Sequence, residues 1–175
     1  MTQKNGFLPV LFLTAVVFVS VVALIATDAI TREPIAAARR AAIYRRLQSL
    51  FPTMDDFAYD EESGLYTPFS EGDPLGLAFM AYTRGFGGTI AILVGLAADR
   101  TLRGIEIVSH RETPGLGARI AEPAFRDLFI GIEIDDIALS RDGGAIDGIT
   151  AATISVEAVV EGVREAVSAR LKHFE

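Results

Sequence analysis

The sequence predicts an α+β domain carried behind a single N-terminal membrane helix, and three patterns support this fold class. Residues 7–26 form an uncharged apolar run, FLPVLFLTAVVFVSVVALIA. Two runs of β-forming residues, 89–96 and 104–109, lie in the middle of the chain. The segment from Ser155 onward repeats apolar residues at the helical period. Helices at both ends with an antiparallel sheet between them follow from this order.

The apolar run 7–26 has the length of a transmembrane helix. Twenty residues rise about 30 Å as an α-helix, which matches the hydrocarbon core of a bilayer. A buried helix of a soluble domain seldom stays fully apolar for so long, and a cleaved signal peptide has a shorter apolar core. Only a weak cleavage candidate, Ala26-Thr27-Asp28, follows the run. We therefore expect a retained, single-pass anchor in residues 1–29.

Charge divides the chain into a basic N-terminal part and an acidic remainder. Residues 1–52 contain six basic and two acidic residues, a net charge of +4, and residues 53–175 contain ten basic and twenty-one acidic residues, a net charge of −11. An acidic domain repels phosphate backbones, which argues against a nucleic-acid partner. The seven acids between Asp55 and Asp73 are expected to form a solvated face. The chain has no cysteine, so it has no disulfide framework and no thiol site for a metal.

Residues 30–52 are predicted to form an amphipathic linker helix that begins near Pro34 and ends before Pro52. Such a basic helix either rests on anionic lipid or docks on the following domain, which spans residues 53–175. Lys4 precedes the apolar run, and three basic residues follow it within about fifteen positions. By the positive-inside bias, this count favours a cytoplasmic domain.

The middle of the chain is predicted to form antiparallel strands. A short apolar run at 77–82 ends at the glycine-rich break 85–88, and a hairpin follows from 89–96 and 104–109. Residues 97–103 are expected to form its connecting loop. The last helix is predicted to begin near Ser155, with one apolar stripe made by Val156, Val159, Val160, Val163, Val167, Leu171 and Phe174.

The first stretch that could bind a ligand, residues 110–119, follows a predicted strand directly. Pro114 and Gly115 mark a tight turn, and the two glycines of the stretch let the backbone approach a ligand closely. On the residues alone, a surface turn and a binding loop both remain open.

The second stretch is DGITAAT, residues 147–153. The small side chains of Ala151 and Ala152 leave a threonine hydroxyl accessible, and the helix that follows directs free backbone N–H groups at this position. Such a place suits a phosphate. In isolation, helix capping by Thr153 or Ser155 is the simpler explanation of the hydroxyls.

Together, the two stretches resemble a known family. Residues 85–117, GFGGTIAILVGLAADRTLRGIEIVSHRETPGLG, followed by DGITAAT, are similar to the FMN-binding domain of the G subunit of the Rnf ion-translocating electron-transport complex. The C subunit of the sodium-pumping NADH:quinone reductase has a related domain. The resemblance covers nearly the whole chain, from the anchor to the final helix.

The resemblance implies a covalent flavin. In that family a flavin transferase moves FMN from FAD onto the last threonine of an Asp-x-x-Ser/Thr-Gly-Ala-Thr motif, as a phosphoester. By position, the attachment falls on Thr153, with Thr150 and Asp147 at the motif's hydroxyl and acid positions and Ala152 at its alanine. Ala151 stands where the family usually has glycine, and it adds a Cβ beside the attachment site.

The resemblance also places the loop Glu112–Gly117 at the border of the flavin ring, through Glu112, Thr113, Gly115, Leu116 and Gly117. It implies an electron-relaying subunit of an ion-translocating ferredoxin:NAD⁺ oxidoreductase, with no catalytic acid or base and no metal ligand assigned, because the electron chemistry belongs to the flavin.

Partners and location follow from the same resemblance. We expect the other membrane subunits of the complex, the flavin transferase and membrane lipid as partners. The family places the domain on the periplasmic side of the bacterial inner membrane, against the charge count. Two alternatives stay open: the equivalent FMN subunit of a quinone reductase, and a flavin-free scaffold subunit if Ala151 prevents attachment.

Overall fold

A long N-terminal helix, an antiparallel sheet and a C-terminal helix make up the computed structural model, which describes residues 7–171. Lys4, used in the charge count, and Phe174, at the end of the expected stripe, lie outside the described residues. The α+β class with one long apolar N-terminal helix is confirmed.

Helix α1 runs without interruption from Phe7 to Leu50, 44 residues, and contains Pro34. The expectation of a separate linker helix beginning near Pro34 is therefore wrong. A proline removes one N–H from the helical ladder at a cost of about 3 kcal/mol, and the long helical stretches on both sides offset this single loss. The helix ends two residues before Pro52, as expected, because the residue preceding a proline avoids the helical conformation.

Among residues 7–171, α1 is the only helix that is long and apolar enough to cross a bilayer. Its most apolar 18-residue window has a mean hydropathy of 2.8, and none of that window is buried within the protein. By its contacts, the chain divides into two units, one ending at Ile43 and the other beginning at Tyr44. The last turns of α1 thus belong to the same unit as the sheet.

The sheet has six antiparallel strands in the order β1-β2-β4-β5-β6, with β3 paired to β2. The strands are β1 (Asp56–Asp60), β2 (Leu65–Ser70), β3 (Asp73–Pro74), β4 (Gly76–Arg84), β5 (Thr89–Ala97) and β6 (Leu102–Ser109).

Strands β4, β5 and β6 contain the three predicted runs, each extended by one to three residues. The β5–β6 connection is shorter than the expected loop 97–103, because Leu102 is buried and already pairs with β5. Strands β1 and β2 fall within the acidic segment, for which the sequence indicates only a solvated face. Its acids stay exposed, and Tyr66 and Pro68 supply the buried positions of that hairpin.

Both faces of the sheet are covered. Helix α3 (Thr153–Leu171) packs on β4 and β5 through a stripe of buried valines at 156, 159, 160, 163 and 167. On the opposite face, Leu50 and Phe51 lie against Gly95 of β5. Between β6 and α3, the chain forms the short helix α2 (Pro123–Arg126) and several 3-10 turns, which close one end of the core. This arrangement fixes the start of α3 beside the ends of the central strands.

Candidate functional site

An open cavity of about 360 Å³ lies at the start of α3, and we call it the main cavity. Three segments form its walls: the β4–β5 turn, the 112–117 loop and the first turn of α3. Its volume falls in the range of small-molecule sites. The residues lining it are Phe86, Glu112, Thr113, Leu116, Gly117, Ala151, Ala152, Thr153, Ile154 and Ser155.

The buried carboxylate of Glu112 links the three walls. Its side chain is only 5% exposed. Oε1 accepts a hydrogen bond from the backbone N–H of Gly87 at 2.9 Å, and Oε2 accepts one from the hydroxyl of Ser155. A Cβ at Gly117 would lie 2.6 Å from both Glu112 Oε2 and Ser155 Oγ, so only glycine leaves room for this contact. A buried carboxylate held on both oxygens fixes the relative positions of the loops and the helix.

The predicted turn at Pro114-Gly115 is present. The N–H of Leu116 donates to the carbonyl of Thr113 at 3.2 Å, and Gly115 has φ +75°, as the third position of a type II turn requires. Thr113 and Leu116 line the main cavity, whereas Gly115 does not. Of the two interpretations left open by the sequence, the structure therefore favours a loop that borders a site.

Thr153 and Thr150 occupy different positions relative to the main cavity. Thr153 is the first residue of α3, is exposed and lines the cavity; Thr150 is exposed but does not line it. Within residues 7–171 neither hydroxyl has a hydrogen-bond partner, and the hydroxyl of Ser155 is bonded to Glu112. The helix-capping explanation of these hydroxyls is therefore not supported.

Asp147 also lies outside the cavity lining. Its Oδ1 accepts a hydrogen bond from the hydroxyl of Ser140 at 2.6 Å. This contact joins the segment before the threonines to the preceding 3-10 turn. Asp147 thus orients the backbone of the motif from outside the cavity.

Ala151 adopts a left-handed backbone conformation, with φ +69°. A residue with a Cβ is disfavoured there by about 1–2 kcal/mol, and glycine is not. The backbone therefore has the conformation of a glycine although the residue is alanine. Ala151 is exposed on the cavity wall, so its Cβ costs conformational energy without a steric clash in the core.

Three lining residues were not predicted as site residues: Phe86, Ile154 and Ser155. Phe86 lies at the tip of the β4–β5 turn between two glycines, and an aromatic residue in a glycine-rich turn is the signal that could have identified it. The sequence indicates Ile154 and Ser155 only as positions at the start of a helix. Seven of the ten predicted residues line the cavity: Glu112, Thr113, Leu116, Gly117, Ala151, Ala152 and Thr153.

The chemistry of the cavity fits a flavin. Phe86, Leu116 and Ile154 surround it with large apolar side chains that are 70%, 47% and 55% exposed. Large apolar side chains that are exposed together around one cavity are typical of a binding site, because folding of the chain alone would bury them. The free hydroxyl of Thr153 lies at the start of a 19-residue helix, where backbone N–H groups favour a phosphate. The apolar side chains suit the flavin ring, and the start of the helix suits the phosphate of FMN.

Comparison with known proteins also points to FMN. A family model described as FMN-binding domain matches residues 85–168. The chain is 32% identical over 160 residues to the G subunit of the proton-translocating ferredoxin:NAD(+) oxidoreductase complex of Clostridium ljungdahlii, covering 89% of this chain and 86% of that protein. It is 38% identical over 99 residues to the G subunit of the ion-translocating oxidoreductase complex of Methanosarcina acetivorans, covering 56% of this chain and about half, 53%, of that protein.

A solved structure shares the fold. The C subunit of the Na(+)-translocating NADH-quinone reductase of Parabacteroides distasonis superposes with a TM-score of 0.56 and 21% identity, covering 68% of this chain and 77% of that one. At this identity the likeness shows the fold alone. That fold is the antiparallel-sheet FMN-binding domain expected from the sequence.

Proposed function

This chain belongs to the family of G subunits of ion-translocating oxidoreductase complexes, and we propose on that basis that it is a membrane-anchored flavoprotein with FMN attached covalently to Thr153. The resemblance to this family is thereby confirmed, and it supports an FMN-binding, electron-transferring subunit of a larger assembly. The linkage, its site and the membrane location are the parts that we propose.

One observation carries the assignment of Thr153. Of the two threonine hydroxyls, only that of Thr153 lies on the wall of the main cavity, where it is exposed and has no partner within residues 7–171. A nucleophile for group transfer must be reachable by the transferase and must leave the flavin beside its binding surface. Thr153 meets both conditions, and Thr150 meets only the first.

The attachment is a phosphoryl-group transfer. The Oγ1 of Thr153 bonds to the flavin-side phosphorus of FAD, the P–O bond to the AMP phosphate breaks, AMP leaves and the hydroxyl proton is released. The product is a phosphate diester with one negative charge. A tethered flavin stays with the domain, so an exported protein does not need to bind free FMN again.

The bound FMN supplies electron transfer, and the protein supplies position and surroundings. Phe86, Leu116 and Ile154 provide the apolar walls, and Glu112 holds those walls together. The cavity is open to the surface, so another protein of the complex can bring its own redox centre near the flavin. Thr113 and Gly117 border the same opening from the loop side.

We further propose that α1 anchors the chain in the bacterial inner membrane with the domain on the periplasmic side. The span is apolar on all sides, as a lipid-exposed helix must be. It has no charge between Phe7 and Ala26, so an ion path through this chain alone is not expected. The other subunits of the complex, the flavin transferase and membrane lipid are the partners.

Flavin fluorescence on a denaturing gel tests the linkage. The full-length protein is produced with a flavin transferase, and fluorescence that survives denaturation is expected for the wild type and for Thr150→Ala. Fluorescence is expected to disappear in Thr153→Ala. Retention in Thr153→Ala with loss in Thr150→Ala would show that Thr150 carries the flavin, and no fluorescence in the wild type would overturn the covalent proposal.

The absence of cysteine makes the location easy to test. Ser168 is exposed on α3, so Ser168→Cys supplies a single reactive thiol. A membrane-impermeant maleimide added to spheroplasts is expected to label it as fully as after permeabilisation. Labelling that requires permeabilisation would place the domain in the cytoplasm, as the basic residues after the span favour.

A further inference from the structure

A second cavity, of about 80 Å³, shares Thr153 with the main cavity, and we call it the small cavity. The small cavity has less than a quarter of the volume of the main cavity, so it suits a phosphate better than a flavin ring system. The remaining lining residues are Leu139, Ser140, Arg141, Gly148, Ile149 and Val156.

We propose that the small cavity holds the phosphate of FMN and that Arg141 is the residue that neutralises it. This inference rests on the proposed attachment at Thr153, the one residue that both cavities share. The flavin ring would then lie on one side of Thr153 and its phosphate on the other. Nothing in the family resemblance or in the sequence pattern assigns a role to Arg141.

The charges around the small cavity explain why a cation is needed there. Residues 53–175 carry a net charge of −11, and Asp142, Asp147 and Glu157 lie next to the cavity lining. The carboxylate of Asp147 is engaged by the hydroxyl of Ser140. Among the described residues that line either cavity, Arg141 is the only basic one. Without it, no basic side chain among the described lining residues would offset these carboxylates beside a phosphate at Thr153.

Arg141 remains able to bind an anion while it keeps its present contacts. Its guanidinium donates to Glu157 of α3, and its Nε lies 3.5 Å from Asp142 Oδ2. The hydrogen bond to Glu157 raises the pKa of Arg141, so the cation is retained. A guanidinium has five N–H donors, and the two contacts leave donors for phosphate oxygens. The side chain is 54% exposed, and Arg141 already lines the small cavity.

Backbone hydrogen bonds within residues 139–146 hold the loop that carries Arg141 in place. Leu139 and Ile146 form a parallel bridge, and the N–H groups of Asp142 and Gly144 donate to the carbonyl of Leu139 at 2.8 and 3.0 Å. This closed loop directs residue 141 toward the first turns of α3. The simplest competing role is therefore an ion pair between Arg141 and Glu157 that only attaches the loop to the helix.

The two roles predict opposite behaviour for the two partners of the ion pair. If the pair only joins loop and helix, Arg141→Gln and Glu157→Gln break the same contact and have the same effect. If Arg141 neutralises the phosphate, Arg141→Gln weakens phosphate binding, whereas Glu157→Gln frees the guanidinium, removes a repelling charge and strengthens it. Arg164→Gln is the matched control, because Arg164 is an exposed α3 residue that lines neither cavity.

The experiment compares FMN with riboflavin, which lacks the phosphate. The full-length chain is made without a flavin transferase, and flavin fluorescence quenching gives the dissociation constant of each flavin for the wild type and the three variants. The wild type and Arg164→Gln are expected to prefer FMN at least tenfold. The preference is expected to fall to near unity in Arg141→Gln and to rise in Glu157→Gln.

A lower FMN preference in both Arg141→Gln and Glu157→Gln would overturn the proposal in favour of a structural ion pair. An unchanged preference in Arg141→Gln, or no FMN preference in the wild type, including no measurable binding of either flavin, would overturn it too. The gel assay on Thr153 is independent, so covalent fluorescence together with a failed FMN preference would reject the phosphate site and leave the attachment standing.

Discussion

The two long helices, α1 and α3, are both rich in apolar residues and use them in opposite ways. In the most apolar 18-residue window of α1 the side chains face outward, and none of that window is buried in the protein. In α3, the buried valines form one stripe against the sheet and the opposite face is polar. The apolar window of α1 therefore needs an apolar solvent, whereas α3 obtains an apolar environment from its own domain.

The largest expected effect comes from a Val→Asp substitution, which should act differently in α3 and in α1. Val163 of α3 is 0% exposed and Val17 of α1 is 54% exposed. Val163→Asp buries an unpaired carboxylate, at a cost of order 3–5 kcal/mol, which is a large part of a typical domain stability. Circular dichroism melts in detergent are expected to show loss of cooperative unfolding for Val163→Asp and no change for Val17→Asp.

Val17→Asp is expected to act on the membrane instead. A carboxylate near the centre of a span costs about 2.5–3.5 kcal/mol of insertion. The fraction of protein that resists alkaline extraction from membranes should therefore fall in Val17→Asp. If Val17→Asp lowered the melting temperature of the domain, or if the variant stayed fully in the membrane, the two helices would not differ in the way described.

The second effect concerns the polar contact at the start of α3. Glu112→Ala leaves the hydroxyl of Ser155 and the N–H of Gly87 without their acceptor, at about 1–3 kcal/mol for the buried hydroxyl and less for the N–H of Gly87, which water can reach. Urea unfolding is expected to show a loss of about 3 kcal/mol. The control is Glu161→Ala, which removes an exposed carboxylate of α3 and should stay within about 0.5 kcal/mol of the wild type. Equal losses in both variants would contradict the structural role of Glu112.

The third effect compares two arginines. Arg170, near the end of α3, donates to the carbonyl of Ser63 and lies over the ring of Phe79 at 5.6 Å. Arg170→Ala is expected to lower the unfolding free energy by about 1–2 kcal/mol, from the lost charged hydrogen bond and cation–π contact. Arg32 of α1 makes only an exposed pair with Asp28, so Arg32→Ala should not change the urea midpoint. A shift of the midpoint in Arg32→Ala as large as that in Arg170→Ala would refute the distinction.

The smallest expected effect is a gain in stability from a substitution at Ala151, just before α3. Ala151→Gly removes the Cβ from a left-handed residue and is expected to stabilise the domain by about 1 kcal/mol. Ala152→Gly is the control, because Ala152 is buried and has no positive φ; it should destabilise by a similar amount. Destabilisation by Ala151→Gly in urea unfolding would show that this Cβ makes a favourable contact.

Much of the fold could be predicted because its signals are local. The uncharged run 7–26, the valine stripe of α3 and the strands β4 to β6 all follow from periodicity within short windows. The continuity of α1 through Pro34 could not, because a proline breaks or only weakens a helix according to its neighbours. Strands β1 and β2 could not be recognised, because the exposed acids of β1 and of the segments on either side of β2 gave this part of the chain the composition of a loop.

The site was predictable only where a motif marked it. The segments around Thr153 and Glu112 meet at one cavity, as the resemblance implied. The contact that joins them, from Ser155 to Glu112, connects residues 43 positions apart, and no local pattern indicates such a distant pairing. Arg141 lines the small cavity without any local signal in the sequence, whereas Phe86 had one in its position between two glycines.

Ala151 has a consequence for how such domains are recognised from sequence. A motif written with an obligatory glycine describes a residue, but the feature that the site needs at this position is a left-handed backbone. Asparagine and aspartate also tolerate that conformation, and alanine adopts it here at modest cost. A search pattern that specifies the backbone geometry before the final threonine, rather than one amino acid, would find flavin carriers that a glycine-only pattern discards.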